Sequence, residues 1–302
     1  MRNTLVWLIL ALGVAALGCA QSKPTTLLPE LVLRQRESHS AIGWADAGRL
    51  QFIVFGQKPR MQSYTLPGPP LWGASLHGSS GQIFGDIVAD GKHAFGAVQD
   101  GKVLWEDPDL IVQGDPEVSR NGKLLLLEGR DKKTGVGGLL LVEERGQKIT
   151  QISPEGKSPS WSSDDAKFVY EDKGLVLTYE LRSKEKQRIG IGTWPSASPD
   201  GKWISYRDSE GRFVLVDGGG QTKRSLFGGK NILTPLYWSP DSEYFMYVAK
   251  TAAWRGFNCL DAKDVIVYRL QDGQSGPVYG LCEGYPYSVL RWFQLPSKVP
   301  LD

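Results

Sequence analysis

The sequence predicts an all-β chain: a β-propeller of six four-stranded antiparallel blades, or seven if Pro286 opens an incomplete further copy. Three observations carry that expectation. A turn-and-strand unit, best preserved at Thr193 to Tyr206, recurs along the chain. Its copies lie about 40 residues apart, the spacing of a propeller blade. Ten Trp, eleven Tyr and 36 Gly among 302 residues favour pleated strands and tight turns over helices.

The best copy shows how the unit is built. Ser198-Pro199-Asp200-Gly201 reads as a turn, because Pro presets φ, Asp can bond nearby backbone and Gly tolerates positive φ. Trp203, Ile204, Ser205 and Tyr206 continue as a β-rich run with no helical period. Aligned on Asp200, six copies are anchored at Ala47, Asp90, Asn121, Asp164, Asp200 and Asp241, at intervals of 43, 31, 43, 36 and 41 residues. Trp44, Trp161 and Trp238 then share one aligned position and read as packing between blades. The rest of a blade fits between anchors. After Asp200, Asp208 to Gly211 is a turn, Arg212 to Val216 a strand, Asp217 to Gly220 a second turn, and Thr222 to Phe227 a fourth strand. After Asp90, Gln99 to Lys102 turns into Val103-Leu104-Trp105, and Asp131 to Gly138 forms a longer hairpin tip.

The ends follow different rules. Arg2, the apolar run Leu5 to Leu17 and the small residues Gly18-Cys19-Ala20 form a secretory signal, shorter than the roughly 20 residues of a comfortable membrane span. Residues 1–20 are therefore expected to direct export. Ala16-Leu17-Gly18-Cys19 resembles a bacterial lipobox, which would make Cys19 the lipidated first residue of the mature chain; ordinary cleavage after Ala20 is the other reading. Residues 21–36 form a tether running into an expected strand at Leu27 to Leu33. Either that strand or Tyr285 to Phe293 would complete a blade begun at the opposite end, removing exposed edges. The propeller occupies residues 37–302.

Composition excludes several classes. Lys plus Arg total 35 against 33 Asp plus Glu, a net +2, which gives no reason to expect nucleic acid or another polyanion as partner. Cys259 and Cys282 remain as a pair. In an oxidising envelope they would close a disulfide loop of about 24 residues, stabilising by about 3 kcal/mol, or else remain two thiols. His39, His77 and His93 are not close to either Cys in sequence, so no zinc site is assigned.

No Gly-x-Ser-x-Gly elbow and no phosphate-cradling Gly-rich loop occurs. Ser75 and His77 lie close together, but no acid partners them and they read as a polar loop. Asp164, Asp200 and Asp241 recur with the fold and read as turn builders. Asp86, Asp115 and Glu171 are carboxylates that a glycosidase would need to converge on the channel. Trp254-Arg255-Gly256-Phe257-Asn258 falls outside the repeat. Because Trp and Arg are enriched where partners bind, Trp254, Arg255 and Phe257 mark a candidate partner surface, against the plainer reading of an aromatic tucked on a blade edge. No catalytic, cofactor-binding or metal-binding residue is assigned.

These units resemble the TolB-like (WD40-like) β-propeller repeat family, whose signature is Pro-x-Trp-Ser-Pro-Asp-Gly-Lys followed by an alternating strand. Copies four, five and six carry it well, and the resemblance spans roughly residues 37 to 280. It implies a non-enzymatic cell-envelope scaffold with a protein partner and no cofactor. Such a protein would be periplasmic and held at the outer membrane through Cys19. The alternative is an envelope carbohydrate-binding protein or glycosidase using the central funnel. The α/β domain that precedes the propeller in TolB is not expected, since about sixteen residues separate the signal from the first copy.

Overall fold

A computed structural model describes residues 27–46, 49–56, 58–66, 68–69, 71–77, 82–89, 91–114, 116–221, 223–251, 262–281, 290–295 and 299–301. They form one α-helix, α1 (Leu28–Ser38), one short 3-10 helix (Glu144–Gly146) and 24 strands. In chain order the strands are β1 (Ser40–Asp46), β2 (Arg49–Val54) and β3 (Arg60–Thr65), then β4 (Leu71–His77), β5 (Gln82–Ala89), β6 (Lys92–Gln99) and β7 (Lys102–Asp107). Next come β8 (Leu110–Val112), β9 (Glu117–Val118), β10 (Leu125–Asp131), β11 (Gly137–Glu143) and β12 (Lys148–Ser153). They continue with β13 (Gly156–Trp161), β14 (Lys167–Asp172), β15 (Leu175–Glu180) and β16 (Lys186–Ala197), then β17 (Trp203–Asp208), β18 (Arg212–Asp217) and β19 (Lys223–Gly228). The last are β20 (Tyr237–Trp238), β21 (Tyr244–Lys250), β22 (Lys263–Arg269), β23 (Ser275–Leu281) and β24 (Arg291–Gln294).

Every strand pairing is antiparallel, and neighbours in sequence are usually neighbours in the sheet. The chain meanders through four continuous sheets of eight, five, seven and four strands. Within the eight-stranded sheet, β1 meets β4 at a single register position, Ala45 opposite Ala74. Within the seven-stranded sheet, β16 pairs with β15 through Lys186 to Ile191 and with β17 through Gly192 to Ala197.

The core lies between successive meanders, because each small sheet has two apolar faces and must cover both. Phe52 and Leu50 pack with Ile83, Ile87 and Val98; Phe84 and Phe95 with Leu125 and Leu127. Leu126 and Leu139 pack with Trp161 and Phe168, then Val169 and Val176 with Ile204 and Val214, then Phe213 and Leu215 with Trp238 and Phe245. The remaining cluster joins Met246, Val265 and Val267 back to Ile42, Trp44 and Ile53. The sheets therefore follow one another around a closed circle, a propeller-like arrangement. Backbone pairing closes it too: Ser40 to Gly43 of β1 lie opposite Gln294 to Arg291 of β24.

Two expectations are corrected. Leu27 to Leu33 is not a strand but the start of α1. Pro29 sits in the first helical turn, where its missing N–H costs nothing, and Leu28, Leu31 and Gln35 fall on one helical face and are buried. His39, at φ 47, ends the helix in the left-handed region. The second correction concerns register. The turns after Val118, Trp161, Ala197 and Trp238 each join a first strand to a second strand, but the anchors at Ala47 and Asp90, which lie outside the described residues, fall between β1 and β2 and between β5 and β6, a second strand and a third. The first meander has its first strand, β24, far along the chain from its other three. Trp44 lies on a second strand, so it is not the counterpart of Trp161 and Trp238, although it is buried against the last meander.

Candidate functional site

The recurrent acidic turn is built the same way four times. Ser119, Ser162, Ser198 and Ser239 are buried, and each hydroxyl donates to the side chain two residues on: Asn121 at 3.0 Å, Asp164 at 2.5 Å, Asp200 at 2.6 Å and Asp241 at 2.5 Å. The same acceptor oxygen takes the backbone N–H two residues further, as Asp200 does from Lys202 at 3.1 Å. The serine oxygen in turn accepts the N–H that opens the next strand, Trp203 on Ser198 at 2.9 Å and Tyr244 on Ser239 at 3.0 Å. These bonds favour the ionised acid. The Ser162 hydroxyl holds the Asp164 carboxyl below its ordinary range; at Asp200 burial pushes upward, but the donors from Ser198 and Lys202 outweigh it.

The next residue is left-handed in all four turns: Gly122 at φ 72, Asp165 at φ 55, Gly201 at φ 74 and Ser242 at φ 63. Where it is not Gly, its side chain reaches the preceding turn. Asp165 accepts the N–H groups of Arg120 at 2.6 Å and Asn121 at 2.9 Å, and Ser242 Oγ accepts that of Asp200 at 3.0 Å. The two aligned tryptophans do the same, Trp161 Nε1 donating to the Glu117 carbonyl at 3.0 Å and Trp238 Nε1 to that of Ser196 at 3.3 Å. Asp165, Ser242 and both tryptophans thus hold adjacent sheets together, while Asp164, Asp200 and Asp241 brace their own turns.

Glu171 has a comparable task. It is 3% exposed, accepts the Trp194 N–H at 3.4 Å and pairs with Lys157 Nζ at 3.1 Å. Trp194 sits at φ 56 in a register shift between β16 and β17. Seven residues after its own anchor, Glu128 does the same for the next meander, taking the N–H of Ser158 at 2.7 Å, where φ is 50. A carboxylate on a second strand thus receives an N–H that the bulge in the neighbouring first strand turns out of its ladder.

Asp86 is placed differently. On β5 it bonds His93 Nδ1 on β6 at 2.6 Å, and both are substantially exposed. They lie at a cleft of about 330 Å³ whose walls include Phe95, Leu110, Ile111 and Lys132. Such a pair can exchange a proton with a bound molecule. A second groove, about 610 Å³ between β19 and the β21–β22 pair, has an aromatic floor. Phe227 lies 5.0 Å from Tyr247 and 4.9 Å from Tyr268 between ring centroids, and burial pushes the Tyr247 hydroxyl up to about 12. Neither the inter-sheet carboxylates nor this aromatic floor is signalled by sequence spacing, since both depend on which sheets become neighbours.

Asp86 and Glu171 are not brought together: each bonds within its own meander or to the next one. Among the described residues no group of three or more His, Cys, Asp or Glu could hold a metal ion, and no helix is long and apolar enough to cross a membrane. Cys19, Asp115, Trp254, Arg255, Phe257, Cys259 and Cys282 lie outside the described residues.

No protein-family model and no curated protein sequence matches the chain. Solved structures do. TolB from Acinetobacter baumannii superposes with a TM-score of 0.56 at 15% identity, over 84% of this chain and 66% of that one, just under two-thirds of its length. A TolB-like protein from Agrobacterium tumefaciens gives 0.54 at 14% identity, over 84% of this chain and 98% of that one. The fold is therefore that of a TolB-like propeller.

Proposed function

We propose that the chain is a non-enzymatic scaffold of the cell envelope, a six-bladed TolB-like propeller whose loops hold another envelope protein. In this reading the blades are the meanders ending in β3, β7, β12, β16, β19 and β23, and the export signal ends in a Cys19 that carries lipid and tethers the ring to the outer membrane from the periplasmic side. The segment around Trp254, Arg255 and Phe257, bounded by a Cys259–Cys282 disulfide, supplies the partner surface. One observation above all supports the absence of catalysis: the recurrent acids and Glu171 are already engaged by backbone donors, as structural bonds require and a free acid–base pair does not. The likeness to TolB supports the envelope setting.

A crosslinking pull-down from envelope membranes tests the proposal. It should recover a distinct protein neighbour, and recovery of none undermines the scaffold. A mature chain beginning at acylated Cys19 in mass spectrometry supports the anchor, whereas one beginning at Gln21 refutes it. The carbohydrate alternative draws on the groove of Phe227, Tyr247 and Tyr268, since sugar faces stack on aromatic rings. Calorimetric titration with envelope glycan fragments should give heat that Phe227→Ala abolishes if that alternative holds.

A further inference from the structure

The near-neutral net charge conceals a strongly uneven distribution. Residues 181–191 and 219–228 carry +5 between them, from Arg182, Lys184, Lys186, Arg188, Lys223 and Arg224 against Glu185, so the rest of a chain of net charge +2 carries −3. The topology brings the two stretches together. Each begins with the turn that joins the third strand of a meander to its fourth, and the two meanders are adjacent, so both turns emerge at the same end of the ring. They also touch: Gln187 Nε2 donates to the Gly219 carbonyl at 3.5 Å, and Ile189 lies against Gly220. All six cations are exposed.

How these cations are held indicates what they meet. Lys186 is tied to the Ile152 carbonyl at 3.0 Å, and Lys223 lies over the Tyr206 ring. The side chains of Arg182, Lys184, Arg188 and Arg224 have no hydrogen-bond or ion-pair partner among the described residues. Recognition of one defined carboxylate or phosphate uses guanidinium groups fixed in position by packing or by neighbouring acids, as Arg34 and Arg269 are fixed elsewhere in this chain. Unrestrained cations spread over two neighbouring turns suit instead a diffuse array of negative charges.

We infer that this rim is a docking face for an anionic membrane surface, which lays the ring against phosphate-bearing lipid headgroups with one fixed side inward. Each cation near such a surface strengthens binding about fivefold, and the attraction is screened within a few ångströms at high salt. The inference needs no protein partner and stands if none is found.

The test uses the mature protein with vesicles of phosphatidylcholine alone and of phosphatidylcholine with 30% phosphatidylglycerol, measured by co-sedimentation. The ratio between the two affinities cancels any acyl-chain contribution. It should exceed tenfold at 50 mM salt and fall to near one at 0.5 M. In Arg182→Gln/Lys184→Gln/Arg188→Gln/Arg224→Gln, checked for an unchanged melting temperature, it should fall to near one. The matched control Lys92→Gln/Lys132→Gln/Lys173→Gln/Lys230→Gln, four exposed lysines in the turns and connection at the opposite end of the ring, should retain most of it. An equal loss in the control would reduce the effect to net charge and overturn the inference. So would a wild-type ratio near one, including the case where the protein binds heparin, a soluble polyanion, but not the charged vesicles.

Discussion

The left-handed residue after each recurrent turn shows how a local motif becomes an inter-sheet contact. Gly122 and Gly201 take that conformation freely, whereas Asp165 and Ser242 take it at a cost and use their side chains on the preceding turn. Asp165→Gly should therefore lower stability by about 1 kcal/mol in urea unfolding, even though it relaxes the backbone, because two accepted bonds are lost. A stabilised variant would show that the bracket contributes nothing. Ser198→Ala removes a buried hydroxyl that both donates and accepts, and should cost about 1–2 kcal/mol. Asp164 and Asp200 titrate below their ordinary range in the fold, so what they contribute is present above about pH 4 and is lost as pH falls through the lowered values. The urea midpoint should hold steady from neutral pH to about pH 5 and drop below pH 4, and the drop should be smaller in Asp164→Asn. The turn itself was legible in Ser-Pro-Asp-Gly. Its reach to the neighbouring turn was not, because that depends on the angle between sheets.

At the scale of elements, α1 carries the largest departure from the sequence reading. Leucine-rich and interrupted by Pro29, it reads as extended chain, yet the spacing of Leu28, Leu31 and Gln35 is helical and a proline is tolerated in a first turn. The helix bridges the two ends of the circle. Leu31 is buried among residues of both the first and last meanders, and Gln35 bonds the backbone of Ile53 at 2.8 Å and Phe55 at 2.9 Å. Arg34 bonds Asp241 at 2.6 Å and also engages Glu243, while Tyr244 joins Arg34 to Glu30. Burial, with the Glu30 bond, pushes the Tyr244 hydroxyl up to about 12. Leu31→Ala should cost about 2–5 kcal/mol and speed hydrogen exchange in β1 and β21 before the central meanders. Uniform acceleration across all strands would mean that α1 does not serve this junction in particular. The shifted first and second copies have a related cause: a Gly-containing turn followed by a strand looks alike at any hairpin, and only sheet pairing tells which hairpin it is.

At the scale of the whole molecule, period and turn chemistry made the propeller legible, because blade packing selects both. The candidate site was less so. The acids that recur in sequence prove to brace their own turns, beside the residues that join the sheets, and the features that distinguish this ring, the Asp86–His93 cleft and the cationic rim, arise from strands brought together by topology. The account therefore rests function on surfaces, and crosslinking mass spectrometry of envelope membranes tests that most directly. It predicts crosslinks from this chain to at least one other envelope protein, unchanged in Asp86→Asn and Glu171→Gln. Crosslinks confined to the chain itself, or a neighbour lost when Asp86 is neutralised, would contradict it.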